Sequence, residues 1–445
     1  MTPGARMTAA ITLLSRLDGP DAPPADKLLA DWARANRYAG SKDKSAIAAM
    51  VYGCLRRRGQ IDWWLSRCKG DEPAARPRLL VWMQLAGEAA LSDLERFCSG
   101  EKFDPPPLTP VEKRVAVELS AQQGFDLSCQ PISIGGNMPV FLEQDLIALY
   151  GAETPRQLAA HDAEAPVDLR VNTLKADRET VQAALAEAGV DSVPTPYSPV
   201  GLRLTERKPL SGTVVFKDGL IEPQDEGSQL AALLVEAKPG MKIVDFCAGA
   251  GGKTLVLAAT MNNTGRIIAC DVSEARLKRA GQRLKRAGAF LVERRPLSSE
   301  RDKWVKRRAA RFDGGFDRVL VDAPCSGSGT WRRNPDQKWK LTPDGLAEVM
   351  QKQSSVLESA ARLVAAGGRL IYVTCSILKQ ENEDRVEAFL AEHGDFFAHP
   401  VAEIWSEILS DVAYPGIPEN PYLRLTPADH GTDGFFVAVL GRKLT

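Results

Sequence analysis

The sequence predicts an α/β protein whose C-terminal half is an open, mostly parallel sheet, and two observations carry that prediction. From about Lys238, apolar strand-like runs alternate with helical stretches: Lys242 to Phe246, Arg266 to Cys270, Arg318 to Val321 and Arg369 to Val373. Short buried strands spaced by helices are what parallel crossover connections require. A glycine-rich stretch, Phe246 to Thr254, also joins one strand directly to an apolar helix, Leu255 to Ala259. In open parallel sheets that kind of turn is where ligands bind. A last pair, Leu423 to Leu425 and Phe435 to Leu440, reads as antiparallel edge strands.

The segments before this sheet read differently. Between Thr8 and Cys129 the apolar period is helical: Ile47, Met50, Val51, Cys54 and Leu55 share a face, and Arg56, Arg57 and Arg58 close that helix before Gly59. Leu79, Trp82, Met83 and Ala86 form a second such face after the breakers Pro73 and Pro77. The stretches Asp104 to Pro107 and Gly135-Gly136 interrupt the pattern, so a boundary is expected near residue 130. A small α+β unit follows, with strands at Val167 to Val171 and Gly201 to Leu204 and a helix from Thr180 to Ala188. The expected organisation is an all-α domain over 1–130, a linker and small α+β subdomain over 131–235, and the large α/β domain over 236–445. A chain of 445 residues exceeds what one core usually supports, which agrees with several domains.

Composition excludes some classes. The net charge is +0, so nucleic-acid binding would have to rest on local clusters. The N-terminus is too short and too charged for a signal-peptide core, and no apolar run approaches the ~20 residues of a membrane span. The eight cysteines lack the paired spacing of a zinc site and the density of a disulfide scaffold, so no metal is expected and a reducing, cytoplasmic setting is.

The glycine loop, Cys247-Ala248-Gly249-Ala250-Gly251-Gly252-Lys253-Thr254, aims backbone N–H groups at a ligand. A phosphate-binding Walker loop would need glycine at Cys247, and a dinucleotide loop would need it at Thr254. The second strand ends in Asp271, an acid placed to accept the hydroxyls of a ribose. S-adenosyl-L-methionine has a ribose and no phosphate, and so fits the acid and both failed motifs.

Two cysteines stand just past strands of the same sheet: Cys325 in Asp322-Ala323-Pro324-Cys325-Ser326-Gly327, and Cys375 in Thr374-Cys375-Ser376. Beside a sulfonium donor this suits methylation at carbon 5 of cytosine. That carbon is too weak a nucleophile until a thiolate adds to carbon 6, and an acid such as Asp322 would hold the N3/N4 edge. The chemistry does not choose between the two sulfurs. Cys54, Cys68, Cys98 and Cys129 lack this context and read as small buried hydrophobes.

Together these motifs resemble the Sun (Fmu) family of RNA cytosine-5 methyltransferases over roughly residues 160–445. The resemblance implies a class I, Rossmann-like core. It implies that Cys375 is the nucleophile, that Cys325 helps release the product, and that Cys247 to Lys253, Asp271 and Asp322 surround the cofactor, with Lys253 near the reacting centre. Arg276, on the helix after Asp271, joins the cofactor set. Asp433-Gly434-Phe435-Phe436 is similar to the family's last motif, near the target base. Asp43 to Arg58 resembles the NusB-type RNA-binding domain of the RsmB branch, which methylates small-subunit ribosomal RNA, and Val167 to Lys175 is similar to the family's RRM-like subdomain. The third strand, Leu291 to Leu297, lacks the family's adenine-contacting Asp; Ser298, Ser299 or a backbone amide is expected to replace it.

The implied partner is RNA, 16S ribosomal RNA in particular, met by a monomer with no membrane attachment. Arg276 to Arg286, Lys303 to Arg308, and the aromatic-cationic stretch Trp331 to Lys340 are the candidate RNA contacts. A non-catalytic ribosome-assembly factor on the same fold is the alternative, and a DNA cytosine methyltransferase a third reading.

Overall fold

The computed structural model describes residues 1–19, 22–70, 72–121, 124–125, 130–309 and 314–444; Cys129 lies outside them. The chain divides into two compact units. One comprises Met1–Glu164 and Trp331–Thr342, the other Ala165–Thr330 and Pro343–Thr445.

The first unit is helical. Thr2 caps the helix Pro3–Leu17 by accepting from the Ala5 N–H, and Thr109 and Glu112 form a reciprocal capping box at Pro110–Leu119. The helix Ser41–Arg56 buries Ile47, Val51, Cys54 and Leu55, the face that its sequence period picks out. It breaks only at Arg57, and a new helix, Arg58–Arg67, runs straight through Gly59. Pro77 does not break a helix either. It sits in the first turn of Ala75–Leu85, where the missing N–H has no intrahelical acceptor to lose. Helices continue past residue 130, to Thr154–Asp162.

The reading of Trp331 to Lys340 as an RNA-stacking loop is overturned. Trp331 and Lys338 are each 1% exposed, and the Lys338 ammonium lies 2.9 Å from Asp162. The Trp339 indole N–H donates to the Leu55 carbonyl at 2.6 Å, beneath the Arg58 guanidinium. Aromatic rings interleaved with cations serve buried cation–π and ion-pair packing as well as they serve a nucleotide, and here they join this segment to the helical unit.

The second unit holds two sheets. The smaller is antiparallel, in the order β2-β3-β1-β4: β1 is Asp168–Val171, β2 Ser192–Pro194, β3 Gly201–Leu204 and β4 Ile221–Pro223. Its core gathers Leu169, Val171, Leu202 and Ile221 with Val181 and Leu185 of the helix Arg178–Glu187.

The larger sheet runs β10-β12-β9-β8-β5-β6-β7, with β11 paired to β12. Its strands are β5 (Lys242–Asp245), β6 (Arg266–Asp271), β7 (Val292–Pro296), β8 (Phe316–Asp322), β9 (Val364–Thr374), β10 (Phe396–His399), β11 (Leu423–Leu425) and β12 (Phe435–Arg442). Strands β5 to β9 pair in parallel, and β10 to β12 add antiparallel pairs at one side. Alternation explains why both faces are covered: Val319, Val321, Leu370 and Tyr372 enter one core, and Leu320, Ile371 and Val373 the other. Strand β5 leads to β6 on one side and touches β8 on the other, which is the reversal of strand order that opens a crevice beyond the strand ends. No helix among the described residues is long and apolar enough to cross a membrane.

Candidate active site

The crevice at the β5/β8 reversal is floored by the glycine loop. Gly249 (φ +55°) and Gly251 (φ +79°) adopt left-handed backbone, and a Cβ built on Gly249 would meet nothing within 4 Å, so the loop leaves open space at its tip. The Ala248 N–H donates to the Cys270 carbonyl at 2.8 Å. Asp271, at the end of β6, accepts from the Gly249 N–H at 2.8 Å through one oxygen and from the Ser273 N–H at 2.7 Å through the other. Lys253 stands in the first turn of the helix Gly252–Thr260.

Carboxylates dominate the electrostatics. Burial, then Asp322, Asp245 and Asp271 in turn, push the Cys247 thiol well above its ordinary pKa. Asp245 is 1% exposed and burial raises its pKa to about 7, although Thr254 donates to one oxygen at 2.6 Å. Its other oxygen is buried with no hydrogen-bond partner among the described residues. Burial pulls the Lys253 pKa down, but Asp322 at 2.7 Å, with smaller contributions from Cys375 and Asp245, outweighs it and holds the pKa above an ordinary lysine's.

The two cysteines meet. Cys325 Sγ and Cys375 Sγ are 3.3 Å apart, both partly exposed, on loops that follow the neighbouring strands β8 and β9. The contact with Cys375, then burial, drive the Cys325 thiol well above its ordinary pKa, so it keeps its proton. Loop approach is tight: the Gly329 N–H donates to the Cys375 carbonyl, and the Gly434 N–H to the Gly329 carbonyl, both at 2.9 Å. The ring of Phe435, the first residue of β12, is centred 5.4 Å from the Lys253 ammonium.

Not every candidate joins this group. Arg276 is exposed on the first turn of the helix Glu274–Ala287. Two turns on, Arg283 reaches the loop instead, donating to the Ala250 carbonyl at 2.8 Å, while Arg283 and Arg286 both pair with Glu222 of β4. Arg170 of β1 donates to the Gly252 carbonyl at 2.7 Å. Sequence reading placed Arg283 only among the candidate RNA contacts and gave Arg170 no role at the loop, since the destination of an arginine side chain has no local signature. After β7, Ser298 donates both its N–H and its hydroxyl to Asp302, which those bonds hold down to a pKa of about 2.

Residues 232–441 match the family model described as 16S rRNA methyltransferase RsmB/F, and residues 138–211 that of the ferredoxin-like domain of RsmF/B-like methyltransferases. This region is an RsmB/F-family methyltransferase domain. The ribosomal RNA small subunit methyltransferase B of Photorhabdus laumondii subsp. laumondii is 27% identical over 416 residues, 90% of this chain and 91% of the relative. The crystal structure of PH0851 superposes with a TM-score of 0.73 at 28% identity, covering 99% of both chains. The methyltransferase homolog protein from Pyrococcus horikoshii gives 0.58 at 28% identity, over 70% of this chain and 97% of its own.

The methyl donor of the RsmB/F domain is S-adenosylmethionine, and the crevice suits it. Three carboxylates around Cys247 would repel a phosphate but complement a sulfonium and an ammonium. The unpartnered Asp245 oxygen is an acceptor in want of a donor. Cys247 to Lys253, Asp271 and Asp322 are the residues that could hold the cofactor.

Proposed function

We propose that the chain methylates carbon 5 of a cytosine in small-subunit ribosomal RNA through a covalent cysteine adduct. The observation that carries this reading is the 3.3 Å approach of Cys325 and Cys375 in the crevice that the glycine loop floors. The relatives named for small-subunit ribosomal RNA, matched over nine-tenths of this chain, support the substrate.

In this mechanism the Cys375 thiolate adds to carbon 6, and the ring's electrons move to carbon 5. Bound S-adenosylmethionine would supply the methyl group to carbon 5, its sulfur becoming a neutral thioether. Carbon 5 then loses its proton, the carbon 5–carbon 6 double bond reforms and the Cys375 thiolate is expelled, leaving 5-methylcytosine and one proton. Lys253, its charge kept by Asp322, stands near the reacting centre. Asp322, partly exposed, holds the N3/N4 edge of the base, and Cys325 assists the elimination. The domain reading belongs with this proposal: a NusB-like RNA-binding domain over 1–130, a linker and RRM-like subdomain over 131–235, and the catalytic domain over 236–445, acting as a cytoplasmic monomer; the compact helical unit itself runs on to Glu164 and takes in Trp331–Thr342.

Tritiated methyl transfer to small-subunit ribosomal RNA tests it. Cys375→Ala abolishes incorporation, whereas Cys325→Ala accumulates a denaturation-resistant protein–RNA adduct. An active Cys375→Ala enzyme refutes the assignment.

A further inference from the structure

Behind the two sulfurs lies a carboxylate that no step of the reaction uses. Glu381 is 0% exposed, on the turn that follows β9. One of its oxygens accepts from the Ser326 N–H at 2.8 Å and from the Gln353 amide at 2.9 Å. The other accepts from the hydroxyls of Ser326 and Ser376, each at 2.5 Å. Ser326 follows Cys325 in the chain, and Ser376 follows Cys375. The Gln353 amide also donates to the carbonyl of Pro324, at 3.0 Å, on the other side of Cys325. Both cysteine loops are therefore tied to one side chain.

We propose that Glu381 is a positioning residue that clamps the Cys325 and Cys375 loops in one register, so that both sulfurs face the same pyrimidine ring. The proposal rests on the two-cysteine reading above. Four hydrogen bonds at fixed angles leave this carboxylate a single orientation, and each loop is held through the residue beside its cysteine. The Glu381 turn is anchored in its own right. The Tyr372 hydroxyl donates to the Glu381 carbonyl at 2.8 Å, and the Asn382 amide to the Ser376 carbonyl at 2.9 Å. The clamp therefore has a rigid base. It also puts a negative charge beside Cys325, where it raises the thiol pKa.

Two substitutions test the clamp. Glu381→Gln preserves the shape and can still bridge both serines, because hydroxyls can accept as well as donate. It keeps kcat within about threefold of wild type, while the pH midpoint for alkylation of Cys325 by iodoacetamide falls as the neighbouring charge is removed. Glu381→Ala frees both loops. It lowers kcat about 100-fold, the scale of a ~1 Å misplacement, and leaves KM for S-adenosylmethionine within about threefold. Rescue of kcat by glutamine and the split between kcat and KM separate positioning from mere loss of fold. Should the alanine variant not fold, the Cys325 alkylation midpoint in Glu381→Gln still decides: an unchanged midpoint overturns the clamp, as does an alanine variant of wild-type kcat. Alkylation needs no turnover, so it reports on Glu381 even if Cys375→Ala were to refute the reaction.

Discussion

The ammonium of Lys253, in the first turn of the helix after the glycine loop, lies 2.7 Å from the carboxylate of Asp322 at the end of β8. The pair spans the crevice at the reversal of strand order, and its partners differ in burial: Lys253 is 8% exposed, Asp322 35%. Lys253 therefore depends on Asp322 far more than the reverse. Asp322→Asn is expected to cut methyl transfer at least about 100-fold, through loss of the base-edge acceptor and partial discharge of Lys253. Stability follows a defined sign. The Lys253 pKa is higher in the folded protein than in the unfolded chain. Its contribution is fully present below the unfolded value of about 10.4 and is lost only as pH rises through the folded one. Melting scans of wild type and Lys253→Met should differ by a constant amount from pH 7 to about 10 and converge above that. Convergence at lower pH would show that the ion pair does not hold the lysine charged.

Gly329 lies where the Pro-Cys loop crosses the loop before β12. A Cβ there would come 2.2 Å from the Gly434 carbonyl oxygen, a contact with backbone that no rotamer change relieves. Gly329→Ala must push the loops apart, at a cost of about 1–3 kcal/mol. The same motion displaces Cys325, four residues upstream. The variant should fold with a melting temperature lowered by several degrees and lose at least about tenfold in kcat. Wild-type kcat in a folded Gly329→Ala protein would show that this crossing does not govern the sulfur pair.

What the sequence disclosed follows from which features are local. Strands buried on both faces read as apolar runs, so β5, β6, β8 and most of β9 were legible, as were the glycine turn and the two cysteines at strand ends. The short strands β2 and β4 and the edge strand β10 were not, because three or four residues carry too little alternation to stand out. Side-chain destinations were the other failure. Arg276 and Arg283 share a helix and a charge, yet only the second reaches the cofactor loop, since two turns change its height against the sheet. Glu381 sits in an acidic run, Glu381-Asn382-Glu383, that resembles a solvated turn until β8 and β9 are brought side by side. Trp331 to Lys340 misled for a related reason. Its composition names the interaction type, and the partner is a helical domain more than 160 residues earlier in the chain.

That segment allows a test of how firmly it is held. Lys338 and Asp162 are 1% and 2% exposed and 2.9 Å apart. Burial, against the pull of Asp162, lowers the Lys338 pKa, so desolvation is not fully offset. Asp162 has other support, from the Asn137 amide at 2.7 Å and the Arg57 guanidinium at 3.7 Å. Lys338 has two indole rings nearby, each close to 6 Å away. Removing the acid should therefore cost more than removing the base: about 5 kcal/mol for Asp162→Leu against about 3 for Lys338→Met. The double variant replaces a buried ion pair, whose desolvation is not fully offset, by apolar contact and should lose less than either single one. Urea unfolding of the four proteins measures all three differences. Equal single losses that simply add in the double variant would mean that the two charges do not interact.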